Sequence, residues 1–275
     1  LSLKNLENHF DFGKNWREYS QKINEDRLRI AELSLTKFFH KEGIKGKTFI
    51  DIGCGSGLFS IAALRQGCKN LLAIDIDPIC VSITKNNIKK YWNEPNWHCK
   101  VKSVFDLDKN EIGEFDLVYS WGVLHHTGSM LEAIESASQL IDKEGKMLLG
   151  LYQKTILCPF WVLEKKIYHR SSSSTQKMIR ELFYKLFSFL SLFQYRHINK
   201  IIHKHKQKRG MDYFCDLHDW LGGYPYESIS PKSFNDFIST IGLKIQKQSI
   251  CNEGFGLTGS GVNEYLVYKT SHLSE

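Results

Sequence analysis

The stretch FIDIGCGSGLFSIAA (49–63) joins an apolar run to a glycine-rich turn and then to a helical pattern. Asp51, Gly53, Gly55 and Gly57 form Asp-x-Gly-x-Gly-x-Gly, with Cys54 between the first two glycines. Glycine lacks Cβ, so a ligand can come close to such a backbone. A dinucleotide fingerprint wants Gly or Ala three residues after its second glycine, and this chain has Leu58 there. A phosphate-cradling P-loop wants Gly-Lys-Ser/Thr, and Gly57 is followed by Leu-Phe-Ser. Neither phosphate pattern fits. A second acid follows on the apolar run NLLAIDID (70–77), where Asp75 comes 24 residues after Asp51. A carboxylate at the end of a second strand can accept both hydroxyls of a ribose.

A ligand with a cationic amino-acid end, a sulfonium, a ribose and an adenine, but no phosphate, suits these residues. That ligand is S-adenosylmethionine. Asp51 can meet its ammonium, directly or through water, and the glycines admit its amino-acid and sugar portions. Three further segments carry candidates for chemistry. His125 and His126 follow the run FDLVYSW (115–121), at the strand end where ligands gather in open α/β sheets. One of them, His126 first, serves as general base or acceptor-binding group, or both are loop histidines held by backbone. In DYFCDLHDWLGGYPYE (212–227), Asp216, His218 or Asp219 completes an acceptor pocket lined by Tyr224 and Tyr226, with His218 a further catalytic candidate. The other account is a structural turn anchored by Trp220 and bent at Gly222-Gly223. Asp216, His218 and Asp219 are too thin a ligand set to assign a metal. In FDFGKNWREYS (10–20), Phe10, Phe12, Trp16 and Tyr19 either fold over the cofactor, with an aromatic near the sulfonium, or pack on the outside of the sheet.

The elements that must position these residues alternate. Helical spacing covers 27–40, with strands expected at 48–53, 70–77, 99–104, 115–121 and 146–153. Helices are expected at 58–67, from Pro78 to about Trp92, and at 130–141. Strand–helix alternation implies a parallel sheet with helices on both faces. Residues 154–210 then show helical stretches and no obvious strand. The pattern resumes with a helix at 231–242 and two strands at 243–250 and 262–270, expected as an antiparallel pair at the sheet edge.

Composition fits a globular chain of 275 residues with 42% hydrophobic and 24% charged residues. The longest apolar run, LFSFLSLF (186–193), is far short of the ~20 residues a membrane span needs. Seven scattered cysteines without a C-x-x-C pair suggest reduced thiols in a cytoplasm. Residues 182–211 hold seven Lys/Arg and no acid, which equals the whole net charge of +7. Just before and within this stretch, Ile179, Leu182, Phe183, Leu186, Leu190 and Phe193 share one helical face. Three accounts stay open: a cationic, greasy surface for a membrane-borne or anionic substrate, an RNA contact, or an insertion with a buried stripe and a solvated basic face. Aromatics are not interleaved with the basic run 194–209, which counts against base stacking.

FIDIGCGSG, AIDIDP, SVFD and FDLVYSWGVLHHTG resemble the successive cofactor motifs of class I S-adenosylmethionine-dependent methyltransferases, closely over residues 45–152 and more loosely in the last strands. FDFGKNWREYS, YSWGVLHHTG and RGMDYFCDLHDWLGGYP resemble a bacterial subgroup near the quinone-ring O-methylases. The resemblance implies roles for matching positions. Asp51, Gly53, Cys54, Gly55 and Gly57 surround the methionine part, and Asp75 with Ile76 the ribose. Ser103 and Val104 lie beside adenine; Ser120, Trp121 and Gly122 lie beneath the sulfonium; Trp16 and Tyr19 belong to the lid. Many relatives carry an acid at the Ser103 position, so here a hydroxyl serves or Asp106 reaches in. The expected molecule is an α/β protein with a doubly wound, mostly parallel seven-stranded sheet and a helical insertion after the fifth strand. Its parts are an N-terminal lid (1–45), a cofactor-binding core (46–153), an acceptor cap (154–230) and closing elements (231–275). The expected activity is O-methylation of a small, anionic or lipid-like acceptor in the cytoplasm, with S-adenosylhomocysteine as product. Nucleic acid is not the expected partner, and membrane contact, if any, is peripheral. An RNA-modifying methyltransferase and a non-catalytic cofactor-binding module are the alternatives.

Overall fold

The computed structural model describes residues 12–40, 43–194, 213–251 and 261–270. The short apolar runs form strands β1 (Thr48–Ile52), β2 (Asn70–Asp75), β3 (Trp97–Val101), β4 (Phe115–Trp121), β5 (Ile141–Tyr152), β6 (Leu243–Ser249) and β7 (Val262–Lys269). They make one seven-stranded sheet in the order β3-β2-β1-β4-β5-β7-β6. The first five strands run parallel to one another, and β7 runs antiparallel to both β5 and β6. The closing strands form the expected antiparallel pair at the sheet edge, with β6 outermost. Composition explains their order. The core of β7, NEYLV, is buried on both faces, with Tyr265 stacked on Phe234 at 4.0 Å. The β6 residues LKIQKQS keep much of one face in water, which suits an edge.

Helices cover both faces of the sheet. Before β1 lie α1 (Phe12–Ser20) and α2 (Glu25–Phe39), and α3 (Leu58–Arg65), α4 (Pro78–Tyr91), α5 (Lys109–Ile112) and α6 (Met130–Ser138) join successive strands. Phe49, Leu71, Ala73, Leu117 and Tyr119 point into the core beneath α2 and α3. Their alternate neighbours Ile50, Leu72, Ile74 and Val118 enter the other core beneath α6. Each such side chain contributes about 1.5–3 kcal/mol relative to exposure. Caps set the helix starts: the Asp77 carboxylate accepts from the Ile79 N–H at 2.7 Å, with Pro78 in the first turn of α4.

After β5 come α7 (Cys158–Arg170), α8 (Ser173–Gln194) and α9 (Tyr213–Gly222), then α10 (Pro231–Thr240) returns to the sheet. The cap has small cores of its own, around Tyr168, Leu217 and Leu221 and around Tyr152, Trp161 and Tyr226. In α8, Ile179 and Phe183 pack inward, whereas Leu182 and Leu186, expected on the same face, are exposed. The basic run from residue 195 to 209 lies outside the described residues. Among the described residues, no helix is long and apolar enough to cross a membrane.

Candidate functional site

Parallel pairing aligns the C-terminal ends of β3, β2, β1 and β4, with Asp51 opposite Ala73 and Tyr119 and Asp75 opposite Val101. The glycine-rich turn folds over this edge. Gly53 and Cys54 donate their N–H groups to the Ile74 carbonyl at 2.8 and 3.0 Å, tying the turn to β2. Gly53 has φ +78°, and a Cβ there would lie 2.4 Å from Val123. A Cβ on Gly55, φ +54°, would press the Trp16 ring at 3.1 Å. Glycine is required at these positions by both conformation and space. Helix α4 holds the turn from behind: Asn87 Nδ2 donates to the Ser56 carbonyl at 2.8 Å and Thr84 Oγ1 to that of Gly55 at 3.1 Å. Sequence reasoning missed both. Their signal was a polar pair at i, i+3 amid the buried Val81, Ile83 and Ile88 of that helix.

The two acids rest on neutral donors. Asp51 is buried and accepts the Ser60 hydroxyl at 2.5 Å. Asp75 accepts the Gly55 and Asp77 N–H groups, each at 3.0 Å. Burial pushes Asp51 up to about 7, and the nearby Asp75 charge adds to the rise. Burial likewise pushes Asp75 up to about 6, opposed by its backbone hydrogen bonds. Two mutually repelling carboxylates beside a glycine cradle fit a cationic ligand that lacks phosphate and carries hydroxyl donors. The cradle therefore suits S-adenosylmethionine and disfavours a nucleotide phosphate.

Around the cradle, Ile76 is half-buried after β2, and Ser103 caps the short turn Val104–Asp106, accepting the Phe105 N–H at 3.3 Å. Ser120 donates to the Ile52 carbonyl at 3.1 Å, and the Gly122 N–H donates to Gly150 O at 3.0 Å. Trp121 packs on Gly150 and donates Nε1–H to Glu264 at 3.0 Å; Lys37 also pairs with Glu264 at 3.0 Å. Glu264 was not anticipated; a buried acid in an apolar strand is its signal. Helix α1 lies against α4 and α9, with Gly13 close on Asp77 and Trp16 over the turn. Tyr19 is fully buried in the core, edge-on to Trp16 at 5.5 Å and under Arg27 at 5.3 Å, so it supports Trp16. Phe10 lies outside the described residues.

His125 and His126 form a short helical turn after β4, their rings 4.3 Å apart. His126 Nδ1 lies 2.8 Å from the Pro225 carbonyl. A carbonyl only accepts, so Nδ1 is the donor in this contact. The His126 ring packs on Gly223, where a Cβ would lie 2.5 Å from Cε1. His125 is fully buried, completes no hydrogen bond of normal geometry and is held neutral by burial and by His126. A line of rings leads from it into the cap: Tyr152 at 3.9 Å, then Tyr226 at 5.1 Å from Tyr152. Beyond Tyr226 lies Lys165, fully buried, its Nζ 3.9 Å from the Trp220 ring centre and 5.1 Å from that of Tyr226. Glu164 faces it at 3.5 Å, an ion pair too long for a good hydrogen bond. Burial lowers the Lys165 ammonium and raises the Glu164 carboxyl. Tyr226 also meets Cys158 Sγ at 3.6 Å, behind an open groove of about 640 Å³ lined by Met130, Thr155, Cys158, Val162, Glu227 and Ile229.

The segment 212–227 thus reaches the histidines through Gly223, Pro225 and Tyr226. His218 is engaged elsewhere: its Nδ1 accepts from Tyr168 Oη at 2.7 Å and Arg180 Nη1 at 3.0 Å, which ties α7, α8 and α9 together. Burial and Arg180 pull His218 down to about 4. Tyr224 stacks on His169 at 5.9 Å, and Asp219 sits in α9 next to Trp220. Asp216 also falls in α9, with its side chain outside the described residues. Among the described residues no cluster of three or more His, Cys, Asp or Glu could hold a metal.

A family profile described as a methyltransferase domain matches residues 20–205. The ribosomal protein L11 methyltransferase of Thermosipho africanus is 30% identical over 114 residues, 42% of this chain and 41% of that protein. The ubiquinone biosynthesis O-methyltransferase of Coxiella burnetii is 26% identical over 128 residues, 46% of this chain and 50% of that protein. The tRNA U34 carboxymethyltransferase of Pseudomonas fluorescens is 32% identical over 108 residues, 38% of this chain and 33% of that protein. The chain spans at most half the length of these relatives. Because one of them is named for tRNA, the comparisons do not support the expected exclusion of nucleic acid. In fold, the chain is similar to magnesium protoporphyrin IX methyltransferase from Synechocystis PCC 6803, solved with bound S-adenosylhomocysteine. The TM-score is 0.56 at 13% identity, covering 94% of this chain and 93% of that one. With the profile spanning more than half of its length over this sheet and glycine cradle, the chain belongs to the methyltransferase-domain family of class I S-adenosylmethionine-dependent enzymes.

Proposed function

We propose that this protein methylates an oxygen of a small-molecule acceptor held between the strand ends and the cap. The observation that carries this reading is His126, which follows β4 beside the glycine cradle and is fixed there by its Nδ1, 2.8 Å from the Pro225 carbonyl. S-adenosylmethionine, when bound, supplies a methyl carbon activated by a sulfonium leaving group. Asp51, Gly53, Cys54, Gly55 and Gly57 would hold its amino-acid portion, Asp75 and Ile76 its ribose, and Ser103 and Val104 its adenine. Ser120, Trp121 and Gly122 form the floor, and Trp16, supported by Tyr19, excludes water from above. His126 takes the proton of the acceptor hydroxyl. Neutral His125 with Tyr152 and Tyr226 orients the acceptor, and Lys165 favours one that bears negative charge. His218 positions the cap helices through Tyr168 and Arg180.

Transfer of tritiated methyl groups into fractionated cell extract tests the acceptor class. Label in the small-molecule or lipid fraction supports the proposal, and label only in protein would end it. A tRNA acceptor is the second reading, supported by the basic run 194–209 and the Pseudomonas relative; it requires label in RNA. On the true acceptor, His126→Ala lowers kcat by about 10²–10⁴ and leaves S-adenosylhomocysteine affinity unchanged by calorimetry. Full turnover of that variant would remove His126 as the base.

A further inference from the structure

We propose that α7 and α8 dock this protein onto an anionic lipid surface. Both helices already bury one apolar face in the cap, and both carry a second one that faces outward. On α7, Phe160, Leu163 and Ile167 are 55, 57 and 55% exposed, and Ile156 just before it is 93% exposed, while Trp161, Lys165 and Tyr168 are buried. On α8, Met178, Leu182 and Leu186 are 64, 64 and 46% exposed, while Ile179 and Phe183 pack inward. Scattered exposed leucines need no explanation, but outward stripes at helical spacing on consecutive helices mark a contact surface.

Charge selects the occupant. Residues 156–194, which include both helices, contain six Lys/Arg and two acids, a surplus of four. Lys166, Arg170, Lys177 and Lys185 are exposed on the same two helices. Large apolar residues flanked by Lys and Arg are the composition of helices that lie in the interface of an anionic bilayer. RNA would use the charge but leave the apolar stripes in water. A second copy of the chain would bring like charge against like charge. A lipid surface satisfies both features, whatever the methyl acceptor is.

The test is cosedimentation of the full chain with vesicles of phosphatidylcholine alone or mixed with phosphatidylglycerol. The wild type pellets with the mixed vesicles, less so in high salt, and stays soluble with phosphatidylcholine alone. Leu182→Gln with Leu186→Gln, and separately Phe160→Gln with Leu163→Gln, weaken partitioning at least about tenfold. Lys177→Gln and Lys185→Gln each weaken it about fivefold. Thermal melts matching wild type show that the variants fold, because the altered side chains are exposed. The proposal falls if the wild type ignores the mixed vesicles, or if folded variants pellet as the wild type does. It also falls if an RNA oligonucleotide binds where vesicles do not, or if light scattering finds a dimer that the leucine substitutions dissolve.

Discussion

Residues 46–153 and the cap of residues 154–230 both bury ionisable groups, and they hold them in different ways. Around the glycine turn, Asp51 and Asp75 rest on a hydroxyl and on backbone N–H groups supplied by the same short loops. In the cap, Lys165 and Glu164 sit at 3.5 Å among aromatic rings, with no hydrogen bond completing either charge. The first arrangement is an anionic cradle that suits a cation. The second is a low-dielectric pair kept at some cost to stability, as expected where a ligand rather than the fold sets the requirement.

Breaking the cap pair gives the largest expected effect. Lys165→Ala, which strands Glu164, lowers unfolding free energy by about 3–5 kcal/mol in urea titrations. Lys165→Met with Glu164→Leu restores it to near wild type, because an apolar pair of similar volume has no desolvation penalty. Equal losses in the single and double variants would show that the pair holds the cap together. In the cradle, Gly53→Ala costs about 2–4 kcal/mol, combining the left-handed φ with the overlap on Val123. Adding Val123→Ala recovers the overlap part only, so partial rescue in thermal melts separates the two causes.

The pH dependence sets the two regions against each other. Asp51 at about 7 and Asp75 at about 6, raised from 3.8, make the folded chain bind protons that the unfolded chain releases. Their contribution is therefore complete below pH about 4 and is lost as pH rises toward about 7. His218, lowered from 6.5 to about 4, does the reverse: its contribution is present above 6.5 and lost as pH falls toward about 4. Asp51→Asn should flatten the fall in stability between pH 5 and 7 by about 2 kcal/mol in the ligand-free protein. An unchanged slope would refute the burial argument. Smallest, Asn87→Ala costs about 1–2 kcal/mol by leaving the buried Ser56 carbonyl unpaired, and weakens S-adenosylhomocysteine in calorimetry without affecting the cap.

The cradle was legible because its requirements are local. Asp51, the three glycines and Asp75 fall within one strand–turn–helix–strand unit, where residue type and spacing encode conformation directly. The supports of that cradle were not legible. Thr84 and Asn87 look like ordinary polar residues until α4 brings them behind the turn. Glu264, more than 140 residues from Trp121, reaches it only because β7 inserts beside β5. In the cap, the helical face of α8 was drawn too wide. Ile179 and Phe183 meet the cap core, while Leu182 and Leu186 are exposed.

By itself, the amino-acid sequence determined the alternation of strands and helices and the ligand class of the glycine turn. Periodicity and glycine placement act over a few residues, and neither depends on distant parts of the chain. Only the tertiary structure decided which nitrogen of His126 donates to backbone, through the Pro225 carbonyl 99 residues away. It alone decided that His218 joins the cap helices, that Tyr19 lies in the core edge-on to Trp16, and that Lys165 ends among aromatic rings. Those outcomes depend on which surfaces meet, and long-range packing sets that.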